Sequence, residues 1–410
     1  MPFVNQIGEM ALAHDYLIQM GGAERVVASM VRKYPDAPLY TSAVRRDTLL
    51  PEFRSAKLRP SWMQRLPCIE TQFKKYFPFY PLAFRAFKPI ETASLWVSAS
   101  TFAKCIRFST KTASVLYCHN PTRFLWQSGE EYVDSEVKVP LANMGVRLFV
   151  PWMRRVDFAA AQKFDVVVAN SEAVRRRIQS IYKRDATVIH PPVELTRFTP
   201  TPDHDGHYIV VSRLSAYKAI DRAVLACSQT GRKLIVVGEG PDRKRLEGMA
   251  GSTITFKGWM SDEDVQHLVQ RSRGLIFPAE EDFGIAPVEA QAAGKPVIAY
   301  ARGGALETVI EGKTGCFFHE RTAEALQDAL QRAEKIAWNA AEIRENADRF
   351  NEDHFHVLTR QAMATASEIR RERLERREAA ARQAGWAMAM VNSPTPLPHA
   401  EPQPRVAADP

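Results

Sequence analysis

Short apolar runs recur along this chain, separated by polar stretches of helical length. In the first half they fall at residues 10–14, 95–98, 113–117, 165–169 and 187–189. In the second half they fall at 208–212, 233–237, 254–257, 274–277, 296–299 and 315–318. Many are apolar on both faces, so they read as strands of a parallel sheet covered by helices. Strands alternating with helices predict an α/β class. The segment from His190-Pro191-Pro192-Val193 to about Gly206 is rich in Pro, Thr and Asp and reads as an interdomain linker, with a second sheet beginning at Tyr208. The expected division is an N-terminal domain over 1–200, a second domain over 201–350, a helical segment over 351–392 and a disordered tail over 393–410. A helix is predicted around 351–366, with the charged stretch 368–382 either its solvated extension or a separate piece. The tail is Pro-, Ala- and charge-rich with almost no apolar bulk.

Composition changes this picture only at the margins. A chain of 410 residues, 45% apolar and 25% charged, is long enough for two globular domains. No stretch at the N-terminus has the pattern of a signal peptide, and no run approaches a membrane span. The five scattered cysteines argue against a disulfide framework or zinc site and predict a reducing, cytoplasmic setting. The net charge of +8 is uneven, since residues 1–200 hold 28 Lys and Arg against 17 Asp and Glu. A basic N-terminal half predicts an anionic partner. No helix-turn-helix, zinc-finger or aromatic RNA-binding motif accompanies it, which disfavours nucleic acid. An anionic membrane surface, or an acceptor bearing a lipid diphosphate, fits better.

The densest chemical signal lies in residues 277–298. It reads as buried strand, glycine turn, short helix, glycine cap and second buried strand. Glu281 and Glu289 bracket the turn. Gly284 allows close backbone approach to a ligand, and the amides of Gly284, Ile285 and Ala286 open a helix whose N-terminus favours an anion. Two carboxylates for hydroxyls beside a helix end for phosphate suit a sugar nucleotide. Arg213 and Lys218 follow another strand and can converge on a diphosphate, although a basic loop at a strand end is often only solvated.

This stretch resembles the donor-site signature of the retaining glycosyltransferases of family 4, which have the GT-B fold of two Rossmann-like domains facing a cleft, with a C-terminal helix crossing back to the N-terminal domain. Phe283-Gly284-Ile285, Glu289-Ala290, Gly294 and Pro296-Val297-Ile298 carry the likeness. By that resemblance Glu281 contacts the transferred sugar, Glu289 holds the ribose, and Arg213 with Lys218 takes the diphosphate. Gly21-Gly22 matches the family's glycine loop at the donor phosphate and Gly258 a loop beside the base, while Gly238-Glu239-Gly240 after a strand reads on its own as a tight turn near the nucleotide. His119 would face the transferred sugar, although a lone His is also a common structural residue. Tyr117-Cys118-His119, Pro121, Arg123 and Trp126, with His14-Asp15-Tyr16-Leu17 and Pro35-Asp36-Ala37-Pro38, look like the branch of mannosyltransferases acting in O-antigen and exopolysaccharide assembly. Arg123 and Trp126 would shape the acceptor side.

The resemblance implies a hexosyltransferase, with GDP-mannose as expected donor, no cofactor and no metal. It places the protein in the cytoplasm or peripherally on the cytoplasmic face of the inner membrane. UDP-sugar dependence stays open, because backbone contacts often read the base. A sugar-nucleotide epimerase of similar form and a binding-only assembly factor are the rivals. Residues 72–89 interleave aromatic and basic side chains, and read either as a membrane-docking segment or as a loop packed on the core.

Overall fold

The computed structural model describes residues 9–126 and 140–391. The expected tail beyond residue 392 lies outside them. Two parallel sheets organise the chain. The first contains β1 (Met10–His14), β2 (Leu39–Thr41), β3 (Leu58–Pro60), β4 (Ser94–Ala99), β5 (Ala113–Cys118), β6 (Val166–Ala169) and β7 (Thr187–Val188), in the order β3-β2-β1-β4-β5-β6-β7. The second contains β8 (Tyr208–Val211), β9 (Leu234–Val237), β10 (Ile254–Gly258), β11 (Gly274–Phe277), β12 (Val297–Tyr300) and β13 (Gly315–Phe318), in the order β10-β9-β8-β11-β12-β13. β4 and β5 are buried at every position, which is why their sequences show no alternation. Each sheet carries one apolar cluster on each face.

Strand order reverses between β1 and β4 and again between β8 and β11. Such switch points open crevices at the carboxyl ends of the strands, and the singled-out loops sit there. β2 and β3 were not anticipated. Each has three residues, and the edge strand β3 ends in Pro60, which cannot donate to a further neighbour.

The expected linker is packed rather than loose. Val193, Leu195 and Phe198 are buried in the second domain's core. The Val193 amide donates to Phe350 O at 2.9 Å, and Val193 bridges Asn351. The two chain crossings between the sheets therefore lie side by side. Beyond the second crossing, one helix runs from Glu352 to Val391 without a break, so the charged stretch is its extension. It packs on β5 and β6. Phe355, Met363 and Ala366 join the core formed by Val26, Met30 and Tyr117. Arg32 pairs with Glu352 at 2.9 Å and Arg373 with Asp165 at 2.7 Å along its length.

Most of the aromatic side chains of segment 72–89 pack inward. Tyr80 and Phe84 are buried, Phe77 meets Phe124 at 4.2 Å between ring centroids, Phe73 meets Tyr16 at 4.9 Å, and Phe87 meets Tyr40 at 5.2 Å. Phe79, 46% exposed, and Leu82 point outward.

Candidate functional site

The second domain contributes loops held by backbone-on-backbone contact. After β11 the chain turns through Gly284 at φ +87°, where a Cβ would stand 2.7 Å from the Phe277 ring, and enters the helix Ile285–Ala292. Neither demand can be met by an ordinary side chain. After β8 the loop to Lys218 is seated by Gly238 and Gly240, whose Cβ atoms would fall 2.0 and 2.1 Å from the carbonyls of Ser212 and Leu214. The Gly238 amide donates to Gly258 O at 2.8 Å, and a Cβ at Gly258 would meet Glu239 at 2.6 Å. These glycines thus shape the basic loop from beneath. Sequence reasoning missed Gly303 and Gly304, which do the same for residues 281–283. The Gly304 amide donates to Glu281 O at 2.9 Å, and Cβ atoms would lie 2.2 Å from Glu281 O and 2.3 Å from Phe283.

On these loops Glu281 pairs with Lys218 at 2.5 Å. Lys218 is followed by Ala219 in the left-handed region at φ 51°, an uncommon state for a residue with a Cβ. Glu289 pairs with Arg197, a residue of the expected linker that had not been singled out. Each carboxylate retains accepting capacity beyond the cation it pairs with. Arg213 is exposed. Lys74 stands close enough to feel its charge, and burial first, then Arg213, lowers the Lys74 pKa to about 8. The Phe283 ring turns into the core, 5.4 Å from His190 and 5.5 Å from Phe350. Trp259, beside Gly258, is 80% exposed.

The first domain contributes buried polar side chains. Asp15 accepts the amides of Ser100, Thr101 and Ala103 at 2.6–2.8 Å and so ties the loops after β1 and β4. Gly21 precedes the helix Gly22–Lys33, and its amide donates to Glu24 at 2.9 Å. A Cβ on Gly22 would stand 3.0 Å from Ile285 Cδ1, so the two expected donor-side elements meet across the cleft. His119 is buried at the end of β5, with Nε2 2.7 Å from Ser98 Oγ. Burial, and secondarily the charge of His14, pushes its pKa down to about 3.

The residues expected on the acceptor side are bound within the protein. Trp126 Nε1 donates to Asp157 at 2.7 Å. The buried Asp157 also accepts from Tyr182 and Thr122 at 2.6 Å and pairs with the buried Lys104 at 2.9 Å. Arg123 pairs with Asp282 across the cleft, as does Arg177, and Asn120 donates to the same carboxylate at 2.8 and 3.0 Å. Burial raises the Asp282 pKa, but the two guanidinium groups outweigh it and the net shift is downward. Further contacts span the domains. Arg25 donates to both oxygens of Asp262 at 2.8–2.9 Å. Glu307 accepts the Glu172 amide at 2.9 Å and meets His190 Nε2 at the same distance.

Comparison with known proteins finds a likeness centred on the second domain. Residues 194–350 match the family model for glycosyl transferases group 1. Among curated relatives, a GDP-mannose-dependent alpha-(1-6)-phosphatidylinositol monomannoside mannosyltransferase of Mycolicibacterium smegmatis is 30% identical over 199 residues, 40% of this chain and 52% of that protein. The chain spans about half the length of the curated relatives it matches. Among solved structures, Anabaena HepE in complex with UDP and glucose superposes with a TM-score of 0.65 at 19% identity, over 87% of this chain and 99% of that one. Sucrose-phosphate synthase from Thermosynechococcus elongatus gives a TM-score of 0.61 at 19% identity, over 91% and 100%. At such identities the likeness establishes the fold, which is GT-B.

Proposed function

We propose that this protein is a retaining glycosyltransferase that moves a hexose, mannose from GDP-mannose, onto a hydroxyl of a lipid-linked or polysaccharide acceptor in cell-surface glycan assembly. The observation that carries the reading is the convergence of Lys218, Glu281, Glu289 and the helix beginning at Ile285 against Gly22 of the opposite domain. Departure of the nucleoside diphosphate is the demanding step. Lys218, Arg213 and the amides opening the helices after Gly21 and Gly284 stabilise its developing charge. Glu281 and His119 orient the sugar, and Glu289, held by Arg197, takes the ribose. The exposed indole of Trp259 supports stacking on the base. Mannose and guanine rest on the named relative and on the motif resemblance.

Calorimetry with GDP-mannose, UDP-glucose, UDP-N-acetylglucosamine, GDP and UDP tests this reading, with Glu289→Ala alongside. Selective GDP-mannose binding that weakens in the variant supports it. Preference for a UDP-sugar keeps the site and discards the mannosyl assignment. An altered sugar nucleotide released without acceptor favours an epimerase.

We further propose peripheral attachment to an anionic membrane, from the cytoplasmic side. No helix among the described residues is long and apolar enough to cross a bilayer. An open groove of about 370 Å³ between the C-terminal helix and the base of the first sheet is lined by Arg107, Lys163, Arg373 and Arg377 with Phe108. Cations grouped around an apolar floor support attraction to acidic headgroups. Sedimentation with anionic vesicles, lost on Arg107→Glu with Arg377→Glu, supports it; binding unchanged by those substitutions overturns it.

A further inference from the structure

A row of buried polar groups runs behind the rim of the first domain. His119 Nε2 lies 2.7 Å from Ser98 Oγ, and the same hydroxyl lies 3.1 Å from His14 Nδ1. On the other side of the His14 ring, Nε2 faces Glu24 Oε1 at 3.5 Å, and Glu24 Oε2 accepts the Gly21 amide at 2.9 Å. All four side chains belong to residues no more than 8% exposed. The row therefore connects the histidine expected at the sugar with the glycine loop expected at the donor phosphate.

The charge on His14 decides between the two proton arrangements that this row allows. The Ser98 hydroxyl has a single proton and stands between two ring nitrogens. His119 is neutral, because burial outweighs the opposing charge of Asp282. His14 behaves in the opposite way. Burial lowers its pKa, but the adjacent carboxylate of Glu24, the charge of Asp15 and the contact with Ser98 outweigh this and raise it. Other charges around the row are already engaged: Asp15 holds three amides, Lys104 is paired with Asp157, and Asp282 is paired with Arg123 and Arg177. A protonated His14 donates from Nδ1 to Ser98 Oγ. Ser98 then gives its own proton to His119 Nε2, and His119 must carry its proton on Nδ1.

We propose that Glu24, His14 and Ser98 form a positioning relay that fixes His119 as the Nδ1-protonated tautomer, making it a hydrogen-bond donor to a neutral hydroxyl of the transferred sugar. The inference rests on the glycosyltransferase reading of the cleft. His119 alone meets the sugar; the other three act through it. Because Glu24 holds both His14 and the Gly21 amide, the sugar end and the phosphate end of the donor site share one carboxylate.

The test is a long-range ¹H–¹⁵N spectrum of the histidine rings in the full chain at neutral pH, assigned with His14→Gln and His119→Gln. A neutral His119 protonated on Nδ1, beside a doubly protonated His14, supports the relay. An Nε2-protonated His119 or a neutral His14 overturns it. In Ser98→Ala, His119 should lose its fixed tautomer and GDP-mannose binding should weaken roughly tenfold while GDP binding holds, with Ser98→Thr restoring both. Equal weakening toward the sugar nucleotide and the free nucleotide overturns the proposal, since a purely structural row would act on both alike. Should neither ligand bind the wild type, the reading of the cleft fails, and the ring spectra still decide the relay.

Discussion

The two walls of the cleft are built by opposite means. The second domain shapes its rim with glycines, so that carbonyls of one loop rest directly on the α-carbons of the next, as Gly240 does under Leu214 and Gly304 under Phe283. The first domain shapes its rim with buried side chains that reach one another across strands, as Asp157 does with Lys104 and Tyr182. A backbone cradle leaves its mark in consecutive residues. A side-chain network joins residues far apart in the chain and leaves no local mark. The contrast predicts that the first wall fails through unpaired charge and the second through steric overlap.

The largest effect is expected in the first wall. Lys104→Met leaves Asp157 buried without its cation and should destabilise the protein by about 3–5 kcal/mol. Urea denaturation measures this, and replacing Asp157 by Asn as well should recover part of the loss, because the amide removes the unpaired charge while its oxygen still accepts from the buried donors around it. In the second wall, Gly240→Ala forces a Cβ against the Leu214 carbonyl and should cost about 1–3 kcal/mol while displacing Lys218. A matching loss of nucleotide affinity is the expected signature, and unaltered affinity would break the idea that this glycine seats the basic loop.

Proton linkage sharpens the comparison within the first wall, because His14 and His119 have opposite signs. His119 has a depressed pKa, so as pH falls from 6.5 toward about 3 the unfolded chain binds a proton that the native protein refuses, and stability is lost on the acid side. His14 has a raised pKa, so its contribution is complete below 6.5 and disappears as pH rises through its native value. His119→Gln should flatten the acid limb of stability against pH, and His14→Gln the alkaline limb. Identical profiles for the two variants would remove the distinction. The smallest effect is expected at Ala219, whose left-handed backbone costs about 1–2 kcal/mol. Ala219→Gly should raise the melting temperature slightly, because glycine adopts that state without steric strain and its extra unfolded-state entropy offsets only part of the gain.

These differences explain what could be read from the chain in advance. Both sheets followed from uninterrupted apolar runs, and the three-residue strands β2 and β3 escaped because so short a run is indistinguishable from a loop. Glu281, Glu289, Gly284 and Ile285 stood out as candidates because one turn and the helix after it contain them all. Asp282 sits inside the same motif and was passed over. Its partners Asn120, Arg123 and Arg177 lie more than a hundred residues earlier, and a lone acid in a turn reads as solvated. Arg197 was hidden in a segment whose composition suggested a linker.

Asp282 also has a temporal consequence. It follows Glu281 directly, and three side chains of the opposite domain converge on it. The two walls therefore cannot part without breaking that junction, one peptide bond from the residue expected to hold the sugar. Together with the Arg25–Asp262 and Glu307 contacts, this carboxylate thus helps set the lifetime of the closed cleft and, under the proposed function, the time a donor stays committed before it escapes or reacts.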